Sequence, residues 1–251
     1  MILLIKNKKI GYIMEMFRRT QFLIGRENLE KLFKSKVAVF GVGGVGGAVV
    51  EALVRSGISD IAVIDFDRVD ITNLNRQIIS LISNINQYKV DVIENRIKDI
   101  NPKINVFKFN LKIDENTIND LNLKKFLLEC DYIVDAIDDI NGKVEIIKFA
   151  YFNNKKIISA MGAGNRLNPL DFEVTTIEKT SYCKLAKIVR KKLKDLNIRN
   201  IKVVYSKEIP KKVNLENLEK YENERVIGSI SFVPPVSGYV IASEVIKDII
   251  K

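Results

Sequence analysis

The 251 residues contain no histidine. Histidine-based general acid–base catalysis, Ser-His-Asp triads and most His-ligated metal centres are thereby excluded. Chemistry falls to carboxylates, lysines, arginines, backbone dipoles or the bound ligand itself. Cysteine is nearly absent, with Cys130 and Cys183 alone. Two are too few for a disulfide framework, and they fit a reducing, cytoplasmic compartment. They also lie far outside any C-x-x-C spacing, so no zinc is expected. Long apolar runs are lacking too. The N-terminal "MILLIKNKKIGYIMEMF" is too short for the apolar region of a signal peptide and carries its charge on the wrong side. Residues 1–16 read as a leader before a single domain over 17–251. The other apolar stretch, "VIGSISFVPPVSGYVIASEVIKDII" from Val226, is interrupted by Pro234-Pro235 and carries Glu244. A buried strand, a turn and a final helix fit it better than a membrane span, and peripheral membrane contact stays open. Internal repeats and low-complexity linkers are missing.

What is present alternates. Hydrophobic residues make up 47% of the chain, enough for one large α/β domain. A helix over Arg26–Ser35 leads to a strand at Lys36–Phe40, then a helix over Gly44–Ser56 capped by Gly57, then a strand at Ile61–Ile64. An amphipathic helix is predicted over Asn86–Ile100, a third strand in "INVFKF", a short helix in "LKKFLLEC" and a buried fourth strand over Asp131–Ile137. A helix over Lys143–Asn153 and a fifth strand over Lys156–Ala160 follow. Strands alternating with helices of this length argue for βαβ units and a parallel sheet. After Gly164 the pattern changes: "DFEVTTIE" alternates, a basic helix "CKLAKIVRKKLKDL" follows, and "NIKVVYSKE" is strand-like. The sheet is therefore expected to continue in mixed or antiparallel form.

The net charge of +10 is concentrated. Between Lys179 and Arg225 there are 14 Lys/Arg against 6 Asp/Glu, leaving +2 for the rest of the chain. This basic insertion, at about 179–225, places Lys184, Lys187, Arg190, Lys191, Lys192 and Lys194 on more than one face of its helix. A solvated face would need no such concentration; a polyanion would, and nucleic acid is the expected one. Aromatics nearby are too sparse to argue base stacking.

Gly41-Val-Gly43-Gly44-Val-Gly46 sits between a strand and a helix, with Asp65 closing the next strand about twenty residues on. Glycines let backbone approach phosphates, the helix N-terminus presents free N–H groups, and an acid at the second strand's end can take ribose hydroxyls. The loop alone leaves NAD and ATP both open. "DRVDITNLNRQ" decides between them: Asp67 and Asp70 precede Asn73, Asn75, Arg76 and Gln77, with Lys89 one segment later. Hydride transfer wants an apolar slot without clustered cations. Passing an acyl group to a nucleoside triphosphate needs cations where charge builds up on the phosphates.

"GVGGVGG", "IDFDRVDITNLNRQ", the lysine at 89 and "VDAIDD" resemble the ubiquitin-activating-type (ThiF/MoeB/HesA) adenylyltransferase superfamily. "RRTQFLIGRENLEKL", "NGKVEIIKFA", "MGAGNRLNPLDFEVTTIEKTS" and "GSISFVPPVSGYVIASEVIKD" resemble most its tRNA threonylcarbamoyladenosine dehydratases. The resemblance runs from about Phe17 to the C-terminus. It implies a Rossmann-like three-layer α/β fold, a parallel βαβ half followed by a mixed or antiparallel half. It also implies ATP and Mg²⁺. Gly41, Gly43, Gly44 and Gly46 would line the phosphates and Asp65, with Asp67 near it, would hold the ribose. Asn73, Arg76 and Lys89 would grip the triphosphate beside Gln77, and Asp138 would hold Mg²⁺. Arg19 would reach into the neighbouring subunit's site, which makes a homodimer. Lys143 is a further, weaker candidate. The sequence departs from the family at Met16, where arginine is frequent, and at Gly47, where serine is common.

The implied reaction is ATP-dependent dehydration of the threonylcarbamoyl side chain on adenosine 37 of tRNA. An intramolecular nucleophile needs no catalytic thiol, in keeping with the missing histidines and few cysteines. Partner proteins for sulfur transfer or redox remain conceivable, as does a nucleophilic role for Cys183 at a helix N-terminus. Cys130 reads as core. The alternative is an adenylyltransferase for a ubiquitin-like sulfur carrier. Such enzymes often carry paired C-x-x-C motifs, which this chain lacks, and a carrier tail has no need of the basic insertion.

Overall fold

The apolar, β-branched runs become strands stacked edge to edge. In a computed structural model, residues 15–213 and 226–251 are described. The leader to residue 14 and the segment 214–225, where the basic insertion ends, lie outside them. The strands are β1 (Lys36–Phe40), β2 (Asp60–Ile64), β3 (Asn105–Phe109), β4 (Tyr132–Asp135), β5 (Ile157–Ala160), β6 (Phe172–Thr176) and β7 (Lys202–Ser206). They form one sheet in the order β3-β2-β1-β4-β5-β7-β6. All pairings are parallel except β6 with β7, which is antiparallel. The register sets Phe40 against both Ile64 and Asp135, so β1, β2 and β4 end together. This is the parallel half and mixed half expected from the sequence.

Side chains alternate along each strand, and each face is covered. Ala38 and Phe40 point into one core with Leu127, Ile146 and Ala186, from α5 (Leu121–Glu129), α6 (Ile140–Phe152) and α7 (Lys184–Asp195). Val37 and Val39 point into the other with Val50, Ile93 and Ile241, from α3 (Gly46–Ser56), α4 (Lys89–Ile100) and α8 (Val233–Ile250). Val49, Val50, Leu53 and Val54 of α3 have no exposed surface, each burial contributing on the order of 2 kcal/mol. Before β1, α1 (Arg18–Ile24) and α2 (Arg26–Lys34) complete the second layer.

Several boundaries differ from the sequence reading for local reasons. The second βαβ helix begins at Lys89 rather than Asn86. Asn86 adopts φ 68°, and its N–H donates to the Val69 carbonyl at 2.9 Å. Helix α6 starts at Ile140 rather than Lys143, because Asp139 accepts the Gly142 N–H at 2.7 Å as its N-cap. The tail is corrected most. Pro234-Pro235 does not separate a strand from a helix; it opens α8, and no strand lies in residues 226–232 before it. Proline suits a first helical turn, where its missing N–H would have had no partner. Gly238 then lets α8 lie on α3, since a Cβ there would stand 2.4 Å from the Val45 carbonyl oxygen. No helix among the described residues is long and apolar enough to cross a membrane.

Candidate active site

The C-terminal ends of β1, β2 and β4 open into a cleft of about 620 Å³. The glycine loop makes its floor. Gly41 takes φ 82°, and a Cβ there would press on the Ala136 carbonyl oxygen at 2.9 Å. Gly46 packs against the loop itself, with a hypothetical Cβ 1.7 Å from the Gly41 oxygen. Gly41, Gly43 and Gly44 line the cleft, whereas Gly46, the first residue of α3, lies beneath it. The turn therefore aims the N-terminus of α3, with its unpaired N–H groups, at the space where phosphate is expected.

Asp65 is buried at the end of β2. One carboxylate oxygen accepts the Val42 N–H and the other the Asp67 N–H, both at 2.8 Å. It thus braces the glycine loop as well as facing the cleft. Burial pushes its carboxyl above the ordinary value, against the opposing pull of Lys89 and of the two backbone donors.

The loop after Asp65 is closed on the strand-like segment before α4. Val69 N–H donates to the Gln87 carbonyl at 2.9 Å and Lys89 N–H to the Asp67 carbonyl at 3.0 Å. The Arg68 guanidinium stacks 3.6 Å from the Tyr88 ring centroid. This zipper brings a lysine 22 positions downstream onto Asp67, with Lys89 Nζ to Asp67 Oδ2 at 2.7 Å. Lys89 is only 4% exposed. Within the loop, Asp70 accepts from Thr72 N–H at 2.8 Å, and Asn73 Oδ1 accepts the Asp70 N–H at 3.2 Å. Asp70 therefore shapes the turn, and Asn73 keeps its amide nitrogen for the cleft. Arg76 is half-buried, its Nη1 donating to the Thr72 carbonyl and to Asn75 Oδ1, both at 2.9 Å. Buried Gln77 lies under Gly43.

Asp138 stands at the opposite lip, exposed, after the end of β4. Among the described residues there is no cluster of three His, Cys, Asp or Glu side chains able to hold a metal. Asp138 could hold Mg²⁺, which takes one or two carboxylates and completes its shell with phosphate oxygens and water. The donor set fits that ion and offers no soft ligand.

The structure thus gathers Gly41, Gly43, Gly44, Asp65, Asp67, Asn73, Arg76, Gln77, Lys89 and Asp138 around one space. It adds an apolar end from Phe66, Leu111, Ile113 and Ile137, with Lys112 Nζ 5.7 Å from the Phe66 ring centroid. It also adds a far wall from Ala163, Gly164, Ile227, Ser229 and Pro234. These were missed in the sequence; only Phe66, between two acids, carried a local signal. The lining thus combines this apolar group with the cations Arg76, Lys89 and Lys112.

Arg19 lies on α1, exposed and outside this cleft. Lys143 is neither on the surface nor in the cleft. It is wholly buried, its Nζ 2.7 Å from Asp135 Oδ2, 2.9 Å from the Ala160 carbonyl and 3.3 Å from Ser159 Oγ. Burial raises the Asp135 carboxyl, with Lys143 pulling the other way. Cys183 is buried as the N-cap of α7, its Sγ accepting the Ala186 N–H at 3.4 Å. Cys130 is buried and its thiol is pushed up to about 12 by burial. On α7, Lys184, Lys187, Lys191, Lys192 and Lys194 are exposed, while Ala186, Val189 and Leu193 anchor the helix. Arg190 departs from the set: its Nη1 is spent on the Thr180 hydroxyl and carbonyl at 2.7 and 3.0 Å.

The ThiF family profile matches residues 17–251. The chain belongs to the ThiF family. It is 37% identical to the tRNA threonylcarbamoyladenosine dehydratase of Bacillus subtilis, over 95% of this chain and 96% of that protein. It is 35% identical to tRNA threonylcarbamoyladenosine dehydratase 2 of Saccharomyces cerevisiae, over 85% of this chain and 48% of that one. The crystal structure of Escherichia coli tRNA N6-threonylcarbamoyladenosine dehydratase in complex with AMP matches this ThiF-family fold with a TM-score of 0.85 and 28% identity, over 94% of each chain. The same enzyme in complex with ATP gives 0.83.

Proposed function

We propose that this ThiF-family protein catalyses the ATP-dependent dehydration, by cyclisation, of threonylcarbamoyladenosine at position 37 of tRNA. The observation that carries this reading is the convergence of Arg76, Lys89 and Asp138 on the glycine-loop cleft, in a chain similar over nearly its full length to such a dehydratase. The sulfur-carrier alternative has no comparable support.

The side-chain carboxylate of the modified nucleoside attacks the α-phosphorus of ATP, forming an acyl-adenylate and releasing pyrophosphate. A nucleophile of the same side chain then attacks the activated carbonyl, a ring closes, and AMP departs with the electron pair of the broken C–O bond. The nucleophile's proton is released, so the nucleoside loses one water overall. In this reading Gly41, Gly43 and Gly44 admit the phosphates to backbone N–H groups. Asp65 accepts ribose hydroxyls, and Asn73, Arg76 and Lys89 hold the triphosphate as negative charge grows on the departing pyrophosphate. Lys89 changes partner, from Asp67 to phosphate, when ATP enters. Asp138 would hold Mg²⁺, which when bound neutralises phosphate charge.

Arg19, exposed on α1 and away from its own cleft, suits a role in a partner's site within a homodimer, as a cation added in trans. The exposed lysines of α7 supply the polyanion surface for tRNA. Residues 17–251 would act as one domain, in the cytoplasm. The test is to incubate the protein with ATP, Mg²⁺ and tRNA carrying threonylcarbamoyladenosine, then digest and weigh the nucleoside. Loss of one water mass supports the reading; an unchanged nucleoside refutes it.

A further inference from the structure

The far wall of the cleft is fastened at two points that the triphosphate grip does not require. Asn165, at φ 57°, binds Gly228 twice: its N–H donates to the Gly228 carbonyl at 2.8 Å, and its Oδ1 accepts the Gly228 N–H at 2.6 Å. From the phosphate-side loop, Asn75 Nδ2 donates to the Ser229 carbonyl at 3.1 Å. The Oδ1 of the same Asn75 accepts from Arg76 Nη1 at 2.9 Å. Ile227–Ser229 is thus strung between the phosphate-side loop and the loop that follows β5. Gly164 is what lets it seat, since a Cβ there would lie 2.3 Å from Ile227 Cγ2.

Two observations give this wall a direction. Ile227 lines the cleft yet is 61% exposed, an apolar face turned to incoming ligand. The loop behind it is tied to the start of the basic helix: Arg166 Nη2 donates to the Tyr182 carbonyl at 2.8 Å, and a Cβ on Gly162 would touch Cys183 Sγ at 3.5 Å. The wall is therefore continuous with the start of the lysine-bearing helix.

We propose that Asn75 and Asn165 are positioning residues, which hold Ile227–Ser229 as the acceptor-side wall and couple that wall to Arg76. The assignment rests on the tRNA-dehydratase reading for the identity of the acceptor. Asn165 touches neither triphosphate nor reacting atoms; it fixes the surface against which the modified side chain is presented. Asn75 joins both tasks, because one amide carries the arginine and the wall.

The test uses the full chain with Asn165→Gly, which keeps the left-handed backbone and removes only the side-chain acceptor, and with Asn75→Ala. Three readouts are taken: ATP affinity by equilibrium dialysis, KM and kcat for modified tRNA, and amide exchange at Gly228. Asn165→Gly is expected to keep ATP affinity within about twofold, to raise KM for the tRNA about threefold to tenfold, as loss of one hydrogen bond would, and to speed Gly228 exchange. Asn75→Ala is expected to weaken both ligands. Unchanged Gly228 exchange in Asn165→Gly overturns the clamp. ATP affinity falling in step with tRNA, or an unchanged KM, overturns the acceptor-side assignment. Wild-type protein inactive on modified tRNA overturns the dehydratase reading instead, a result the exchange and dialysis arms keep separate from the clamp.

Discussion

Lys143→Met removes the cation that pairs with Asp135 in the core and leaves that carboxylate only the Ser159 hydroxyl and the Ile137 N–H as donors. The wild-type pair has no exposed side-chain surface on either partner. Lys143 makes three contacts at 2.7–3.3 Å, and the second Asp135 oxygen accepts only the Ile137 N–H, at 3.3 Å. Breaking a buried pair on one side costs about 3–5 kcal/mol. An independent bound comes from proton linkage. An unpaired buried carboxylate protonates rather than remain charged, and holding it neutral at pH 7 against an unfolded value near 3.9 costs about 4 kcal/mol. The sign follows. In the variant the folded state retains a proton that the unfolded state releases, so the penalty is present above the unfolded pKa and shrinks as pH falls towards it. At pH 5 the protonation cost is about 1.5 kcal/mol. Urea denaturation of wild type and variant from pH 5 to 8 is the assay, with Lys143→Met/Asp135→Leu expected to recover most of the loss. A deficit below about 1 kcal/mol at pH 7, or one that does not change with pH, would refute the reasoning.

Lys89→Ala should lower kcat/KM for pyrophosphate release by about a hundredfold or more, the scale of removing one cation from developing charge; near-normal kinetics would count against the phosphate grip. Inactive Arg19→Ala and Lys89→Ala proteins, mixed and allowed to exchange subunits, should regain about a quarter of wild-type activity if each site borrows an arginine from its neighbour; no recovery would place Arg19 elsewhere. Neutralising Lys191, Lys192 and Lys194 together should weaken tRNA binding and flatten its dependence on log salt by about 2–3, and unchanged binding would free α7 of that role. Because burial holds the Asp65 carboxyl above its ordinary value, nucleotide affinity should decline on acidification at a higher pH than a solvent-exposed aspartate would give, which dialysis across a pH series can check.

Local signals carried much of the site. The glycine loop is legible because each requirement is met by a residue type within six positions, and "DRVDITNLNRQ" because its cations and amides sit beside one another. The strands were legible as short β-branched runs bounded by glycine, asparagine and acids. What escaped depends on partners distant in sequence. Nothing around Lys143 announces burial: its acceptors come from Asp135, Ser159 and Ala160, on β4 and β5. Asn75 reads as one more polar loop residue until Ser229, 154 positions away, is laid against it. Arg190 has the spacing of a surface cation, and only the loop over Thr180 withdraws it. Pro234-Pro235 reads in sequence as a break between a strand and a helix, and only the structure, with Gly238 packed on Val45, shows it opening the helix.

The most direct measurement of the central claim is pyrophosphate release from ATP and Mg²⁺, compared between tRNA bearing threonylcarbamoyladenosine and the same tRNA lacking it. The account predicts release with the modified tRNA alone, one pyrophosphate for each nucleoside that loses water. Equal release with both tRNAs, or none with either, would contradict it.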